Sequence, residues 1–224
     1  MHLIDQGSGF YGSVPIVGAT IPIATGAALA NKLSKSGDIA VSYFGDGSTE
    51  EGVFHESLNL ASTHELPVLY VCENNLFSSH LHVSERQPTD TIARHAKAHL
   101  IENTVIDGND ISKMTSLCEE AIAYIRETNK PYFIEAVTYR WRGHVGASED
   151  IDVGVKRKDD LNEWKQRDPI GRLAKSMLNE GLIKQQEIDQ MKDRLKSEID
   201  FAWQEAEKAS YPSEEALYDL VYSK

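Results

Sequence analysis

Tyr43-Phe44-Gly45-Asp46-Gly47-Ser48 and Cys72-Glu73-Asn74-Asn75-Leu76-Phe77, with Asp46 and Asn75 29 positions apart, decide how this chain folds. Each follows or completes an apolar run, residues 39–44 and 68–72, that reads as a strand finishing at small or oxygen-bearing residues. Between them Val53, Phe54, Ser57, Leu58, Leu60 and Ala61 recur at spacings of three and four, the period of a helix packed on one face. Strand, helix and strand with a right-handed crossover place both strand ends on one edge of a parallel sheet, where ligands of open α/β sheets sit. Asp46 and Asn75 are therefore expected to converge.

A carboxylate and a carboxamide oxygen suit a hard cation, and magnesium takes few protein ligands while filling its shell with water and phosphate oxygens. The glycines beside Asp46 carry no Cβ and let a phosphate approach the backbone. Taken alone, Gly-Asp-Gly is most often a turn. Its pairing with Asn74-Asn75 at the end of the next strand points instead to a magnesium-bound diphosphate.

Composition frames that reading. The 224 residues suffice for one core, or for one domain with an appendage. With 35 acidic against 23 basic residues the formal charge is −12, which repels nucleic-acid backbones and anionic lipid surfaces. No nucleic acid and no membrane are expected as partners, and an anionic cofactor needs a local cation. Cys72 and Cys118 lie outside any Cys-x-x-Cys spacing and read as free thiols of a reducing compartment. No apolar run reaches membrane-spanning length, no signal-peptide pattern opens the sequence, and a cytoplasmic location is expected.

Residues 1–15 have no helix or strand period and read as a frayed terminus. Residues 19–33 predict a buried helix of small residues, with Pro22 in its first turn and Ser36-Gly37-Asp38 as its stop. Residues 76–88 are expected as a loop ahead of a helix begun near Thr89 or Asp90. His80 and His82 in that loop have no further ligand cluster nearby and read as solvated rather than metal-binding. A strand at 103–106 runs into Asp107-Gly108-Asn109-Asp110, a turn with Asp110 as helix N-cap, followed by a helix through Cys118, Ala121, Ile122 and Ile125. A last strand, 132–138, leads into Tyr139-Arg140-Trp141-Arg142-Gly143-His144, a basic and aromatic group able to neutralise a diphosphate or a substrate carboxylate. On composition alone His144 is an ordinary loop histidine; its place at the same sheet edge as Asp46 and Asn75 favours function. Residues 149–152 are expected as a mobile acidic surface piece. From 156 onward the pattern is helical and charged, so the domains are drawn at 1–148 and 149–224.

In the order of Val17, Gly45-Asp46-Gly47, Asn74-Asn75, residues 139–144 and Arg167-Asp168-Pro169-Ile170, the sequence resembles the alpha subunit of the thiamine-diphosphate-dependent 2-oxoacid dehydrogenase decarboxylating component, the pyruvate and acetoin dehydrogenase group. The resemblance implies an α/β, doubly wound, mostly parallel sheet of the thiamine-diphosphate-binding type with a C-terminal helical appendage. It implies magnesium on the side chains of Asp46 and Asn75 and the carbonyl of Phe77. Gly45, Gly47 and Ser48 would lie along the diphosphate, Val17 would hold the aminopyrimidine through its backbone, and His144 would be the catalytic residue over the diphosphate and reacting centre.

The implied activity is decarboxylation of a 2-oxoacid and transfer of the acyl group to a lipoyl-bearing acyltransferase. A beta subunit would supply the activating glutamate, in a heterotetramer. The cofactor carries the hard chemistry and the protein supplies position and electrostatics. Two departures stand out: the family carries a further N-terminal segment with an aromatic residue and an arginine for the diphosphate, and Pro15 stands where glycine is common. The expectation is that this chain alone binds thiamine diphosphate poorly, and that a separate N-terminal polypeptide completes the site or the protein is a truncated form. The rival readings are a transketolase-like N-terminal half and a catalytically inactive scaffold subunit.

Overall fold

Alternation of apolar side chains along the second strand sets the layering. In a computed structural model that describes residues 2–88, 91–150 and 157–219, the elements in order are α1 (Thr20–Ser34), β1 (Ala40–Gly45), α2 (Gly52–Thr63), β2 (Val68–Asn74), the two-residue strands β3 (Phe77–Ser78) and β4 (Leu81–His82), α3 (Val83–Arg86), α4 (Ala93–Ala98), β5 (Glu102–Asp107), α5 (Ile111–Thr128), β6 (Tyr132–Val137), α6 (Arg157–Gln166), α7 (Pro169–Asn179) and α8 (Gln185–Lys208). Val68, Tyr70 and Cys72 of β2 point into a core built with α1, α2 and α4, while Leu69 and Val71 point to the other face, against Leu117, Ala121 and Ile125 of α5. Helices thus cover both faces, as a parallel sheet requires.

The sheet runs β1-β2-β6-β5, every pair parallel. Its register is level at the carboxyl ends: Gly45 lies opposite Glu73, Asn74 opposite Val137 and Asp107 opposite Val137. The segments that follow β1, β2, β5 and β6 therefore all emerge on one rim.

The α/β fold with a parallel sheet agrees with the sequence reading, and Asp110 caps α5 as expected, accepting the Lys113 amide at 3.2 Å. Three local expectations are corrected. The helix α1 is buried on one side only, through Ile21, Thr25 and Ala28, whereas Ile23 and Leu33 are exposed. The stretch after Leu76 is no open loop but a small hairpin and a helical turn, entered through a left-handed Leu76 (φ 68°). Asp150, expected at a mobile acidic surface, is buried and accepts the His144 amide at 2.9 Å and the Ser148 hydroxyl at 2.8 Å. Ile151 and Asp152 lie outside the described residues, as do Thr89 and Asp90, where the next helix was expected to begin.

Two compact units divide the chain at residues 1–173 and 174–224. The second contains α8, whose first turn is closed by the Lys184 amide donating to Glu187 Oε2 at 2.9 Å. Met191, Leu195 and Ile199 form an exposed apolar stripe along it.

Where α2 meets α4, the imidazoles of His55 and His95 pack edge to face at 4.8 Å, that of His99 lies tilted 6.2 Å from His55, and Phe54 packs against the first two. Burial, with Arg94, His55 and His99 beside it, pushes His95 down from 6.5 to about 4. Between those values the unfolded chain binds the proton and the folded chain does not, so stability is full above the upper value and falls as the pH drops through the window. The urea midpoint should decline more steeply between pH 6.5 and 4.5 in the wild type than in His95→Gln; equal slopes would contradict this assignment.

Candidate functional site

Asp46 is the first residue past the end of β1 and opens a turn of 3-10 helix, Asp46–Glu50, that Thr49 fastens by donating to the Asp46 carbonyl at 2.7 Å. The side chain is 1% exposed. Its Oδ2 is paired with the Arg86 guanidinium, whereas Oδ1 is buried with no well-formed hydrogen bond among the described residues. Burial pushes the carboxyl up, against the pull of Arg86 and the weaker support of the Asp46 and Asn75 backbone amides. A buried carboxylate oxygen that lacks a well-formed hydrogen bond costs free energy unless a ligand satisfies it.

Asn74 and Asn75 do different work. Asn74, fully buried at the end of β2, donates to Glu135 Oε1 at 2.8 Å and accepts the Leu76 amide at 3.1 Å, and the Ala93 amide caps the other Glu135 oxygen at 2.7 Å. It thereby locks the turn that presents Asn75. The Asn75 Oδ1 accepts the Phe77 amide at 3.0 Å, which orients the carboxamide and leaves a second lone pair for another partner. The Asn75 backbone amide also lies beside the Asp46 carboxylate, so the two strand ends meet on one rim.

The Phe77 ring is buried against Tyr139 and Leu161, so its backbone is fixed from below. Tyr139 stacks on Trp164 at 5.4 Å, and Arg167 lies over the same indole at 4.4 Å. Asp107, at the end of β5, receives Arg167 and Arg172 at 2.9 Å each. Those contacts tie the stretch around Arg167-Asp168-Pro169-Ile170 to the rim.

Gly47 and Ser48 sit within the Asp46–Glu50 turn, directly under the hairpin: a Cβ on Gly47 would meet Ser78 Oγ at 2.6 Å and Ser78 Cβ at 3.0 Å. Val17 is exposed, and a Cβ on the neighbouring Gly18 (φ 79°) would lie 3.5 Å from the Glu51 and Val53 side chains, so that residue lies near the start of α2. His144 is exposed on a loop folded around Asp150, whose carboxylate also faces His80 Nδ1 at 3.7 Å. Arg140 donates to the Ser79 carbonyl at 2.8 Å and so joins the His144 segment to the hairpin. Asp46, Asn75, Gly45, Gly47, Ser48 and Phe77 thus gather around one turn, His144 reaches that rim through the hairpin, and Val17 is an exposed residue ahead of α1.

Sequence reasoning missed Arg86, Glu50, Gln87, Glu135 and Asp150. Arg86 and Gln87 stand in a polar stretch with no period, and only the tertiary fold turns them onto the Asp46 turn. Among the described residues no group of three or more His, Cys, Asp or Glu is placed to hold a metal. One buried carboxylate, with the Asn75 backbone amide beside it, fits the sparse protein share of a magnesium shell, and fits no zinc-like set.

Residues 1–215 match the family described as "Dehydrogenase E1 component", and this chain belongs to it. The class agrees with the parallel sheet and its carboxylate rim. Among individual relatives it is 31% identical over 222 residues to the pyruvate dehydrogenase E1 component subunit alpha of Rickettsia bellii, covering 99% of this chain and 67% of the relative. The protein of that name from Zymomonas mobilis is 29% identical, over 99% of this chain and 62% of the relative. The mitochondrial counterpart of Dictyostelium discoideum is 28% identical, over 99% and 58%.

The close approach at Gly47 gives a stability test. Gly47→Ala should lower unfolding free energy by about 1–3 kcal/mol, the usual cost of overpacking, and Ser78→Gly in the same chain should restore most of it. An unchanged denaturation midpoint for Gly47→Ala would mean that the hairpin does not press on this turn.

Proposed function

We propose that this chain acts as the alpha subunit of a thiamine-diphosphate- and magnesium-dependent 2-oxoacid dehydrogenase, working with a beta subunit. The observation that carries the reading is the buried Asp46 carboxylate with one oxygen unsatisfied, set beside Asn75 at the carboxyl rim of a parallel sheet in a chain of the E1 family. That oxygen asks for a cation, and the glycine-flanked turn leaves room for the anionic tail that such a cation would carry.

In this proposal Asp46, the Asn75 side chain and the Phe77 carbonyl hold magnesium. The backbone amides of Gly47 and Ser48 turn toward the diphosphate, Gly45 keeps the approach open, and the backbone at Val17 holds the aminopyrimidine. When bound, thiamine diphosphate supplies a nucleophilic carbon for the 2-oxo group and a ring that accepts the electrons released on decarboxylation. The chain's own share is positional and electrostatic. Asn74 and Glu135 fix the turn bearing Asn75, and the Asp150 carboxylate holds the His144 backbone, so that His144 can donate or take a proton at the reacting centre.

A lipoyl-bearing acyltransferase would accept the acyl group, and the beta subunit would contribute the activating glutamate at a shared interface. The pyruvate named for the relatives makes a 2-oxoacid with a small side chain the first substrate to test.

The test is reduction of an artificial electron acceptor by the chain co-expressed with its beta subunit. Turnover should require a 2-oxoacid, thiamine diphosphate and magnesium, and Asp46→Ala should lower it by at least about a hundredfold, beyond what outer-shell losses cost. Turnover of a ketose phosphate instead, or full activity in Asp46→Ala, would contradict the proposal.

A further inference from the structure

The cation side of the Asp46 site is already half taken by the protein. The Arg86 side chain, only 6% exposed, is clamped between Asp46 and Glu50, while its Nε donates to the Leu81 carbonyl at 3.1 Å. The next residue repeats the grip: Gln87 Nε2 donates to Glu50 Oε1 at 2.9 Å and to Thr49 Oγ1 at 3.2 Å. Arg94 in turn donates to Gln87 Oε1 at 2.7 Å. A short segment following the hairpin thus closes on the Asp46–Glu50 turn by means of a buried guanidinium.

A guanidinium on Asp46 Oδ2 and a divalent ion on Oδ1 of the same carboxylate would stand a few ångströms apart, in a pocket whose low polarisability strengthens their repulsion. Glu50 is the other acid that Arg86 bridges, and the rigid fork of the guanidinium meets the two carboxylates through separate nitrogens. We propose that Arg86 is a latch on the metal site: its guanidinium competes with a divalent ion for the Asp46 carboxylate, and the ion binds tightly there only as the guanidinium leaves. The proposal rests on Asp46 being a metal ligand.

While Arg86 holds Asp46 the site is a poor metal binder, and the guanidinium supplies the counter-charge of a buried carboxylate. It also ties metal entry to movement of the segment bearing α3, because Arg86 cannot leave Asp46 and Glu50 without loosening the grip that Gln87 reinforces.

The test uses the full-length chain and Mn2+ without any diphosphate, with free ion counted by electron paramagnetic resonance. Arg86→Gln should bind Mn2+ at least tenfold more tightly than the wild type, and Arg86→Lys should fall between the two. On the wild type itself, needing no variant to fold, saturating Mn2+ should speed tryptic cleavage after Arg86 several-fold, since trypsin must seat the released side chain. Equal Mn2+ affinity in wild type and Arg86→Gln, lost in Asp46→Ala, would overturn the latch and leave the metal site standing. Absence of Mn2+ binding in every form, with or without thiamine diphosphate, would overturn both.

Discussion

Level ends of parallel strands are the constraint from which this molecule's chemistry follows. Because Gly45, Asn74, Asp107 and Val137 finish at one height, the residues that come next in each case have no choice of rim. The backbone hydrogen bonds of the sheet fix that register, and the alternation of β2 between two packed faces prevents it from slipping, since a shift of one residue would turn Val68, Tyr70 and Cys72 out of their core. The site is therefore positioned by the rigid part of the fold, and its side chains need only local turns to reach their places.

On that rim the electrostatics are concentrated. A chain with a formal charge of −12 has little general attraction for a diphosphate, so local arrangement must provide it. The Asp46 carboxylate is held in a place where burial disfavours its charge, and Arg86 is the counter-charge that makes this tolerable. Asn74 and Glu135 show the same economy one layer deeper: a buried acid whose oxygens are met by the Asn74 side chain and the Ala93 amide. Both buried acids serve to hold a turn in place.

The parts that were legible in the sequence are those governed by short-range pattern. The continuous apolar run of β2, the period near three and a half in α2, and the turn chemistry of Gly-Asp-Gly and Asn-Asn all act over a few residues, and together they foretold that Asp46 and Asn75 share a rim. What escaped depends on partners far away in the chain. Arg86 meets Asp46 across 40 positions and Asn74 meets Glu135 across 61, and nothing local marks either pair. Asp150 was misjudged for a related reason: an acidic run reads as solvated, yet one carboxylate in it collects the amide of His144 and the hydroxyl of Ser148 and becomes the hub of its loop. The exposed half of α1 has a different origin, since small residues allow close packing without saying which face will be packed.

The central claim is that Asp46 and Asn75 together hold one divalent ion. Crystals of the chain grown with Mn2+ and thiamine diphosphate should show a single strong anomalous peak within about 2.0–2.4 Å of both Asp46 Oδ1 and Asn75 Oδ1, the span of hard-cation to oxygen distances. A peak elsewhere, or bound cofactor with its diphosphate away from the Asp46–Glu50 turn, would contradict the account.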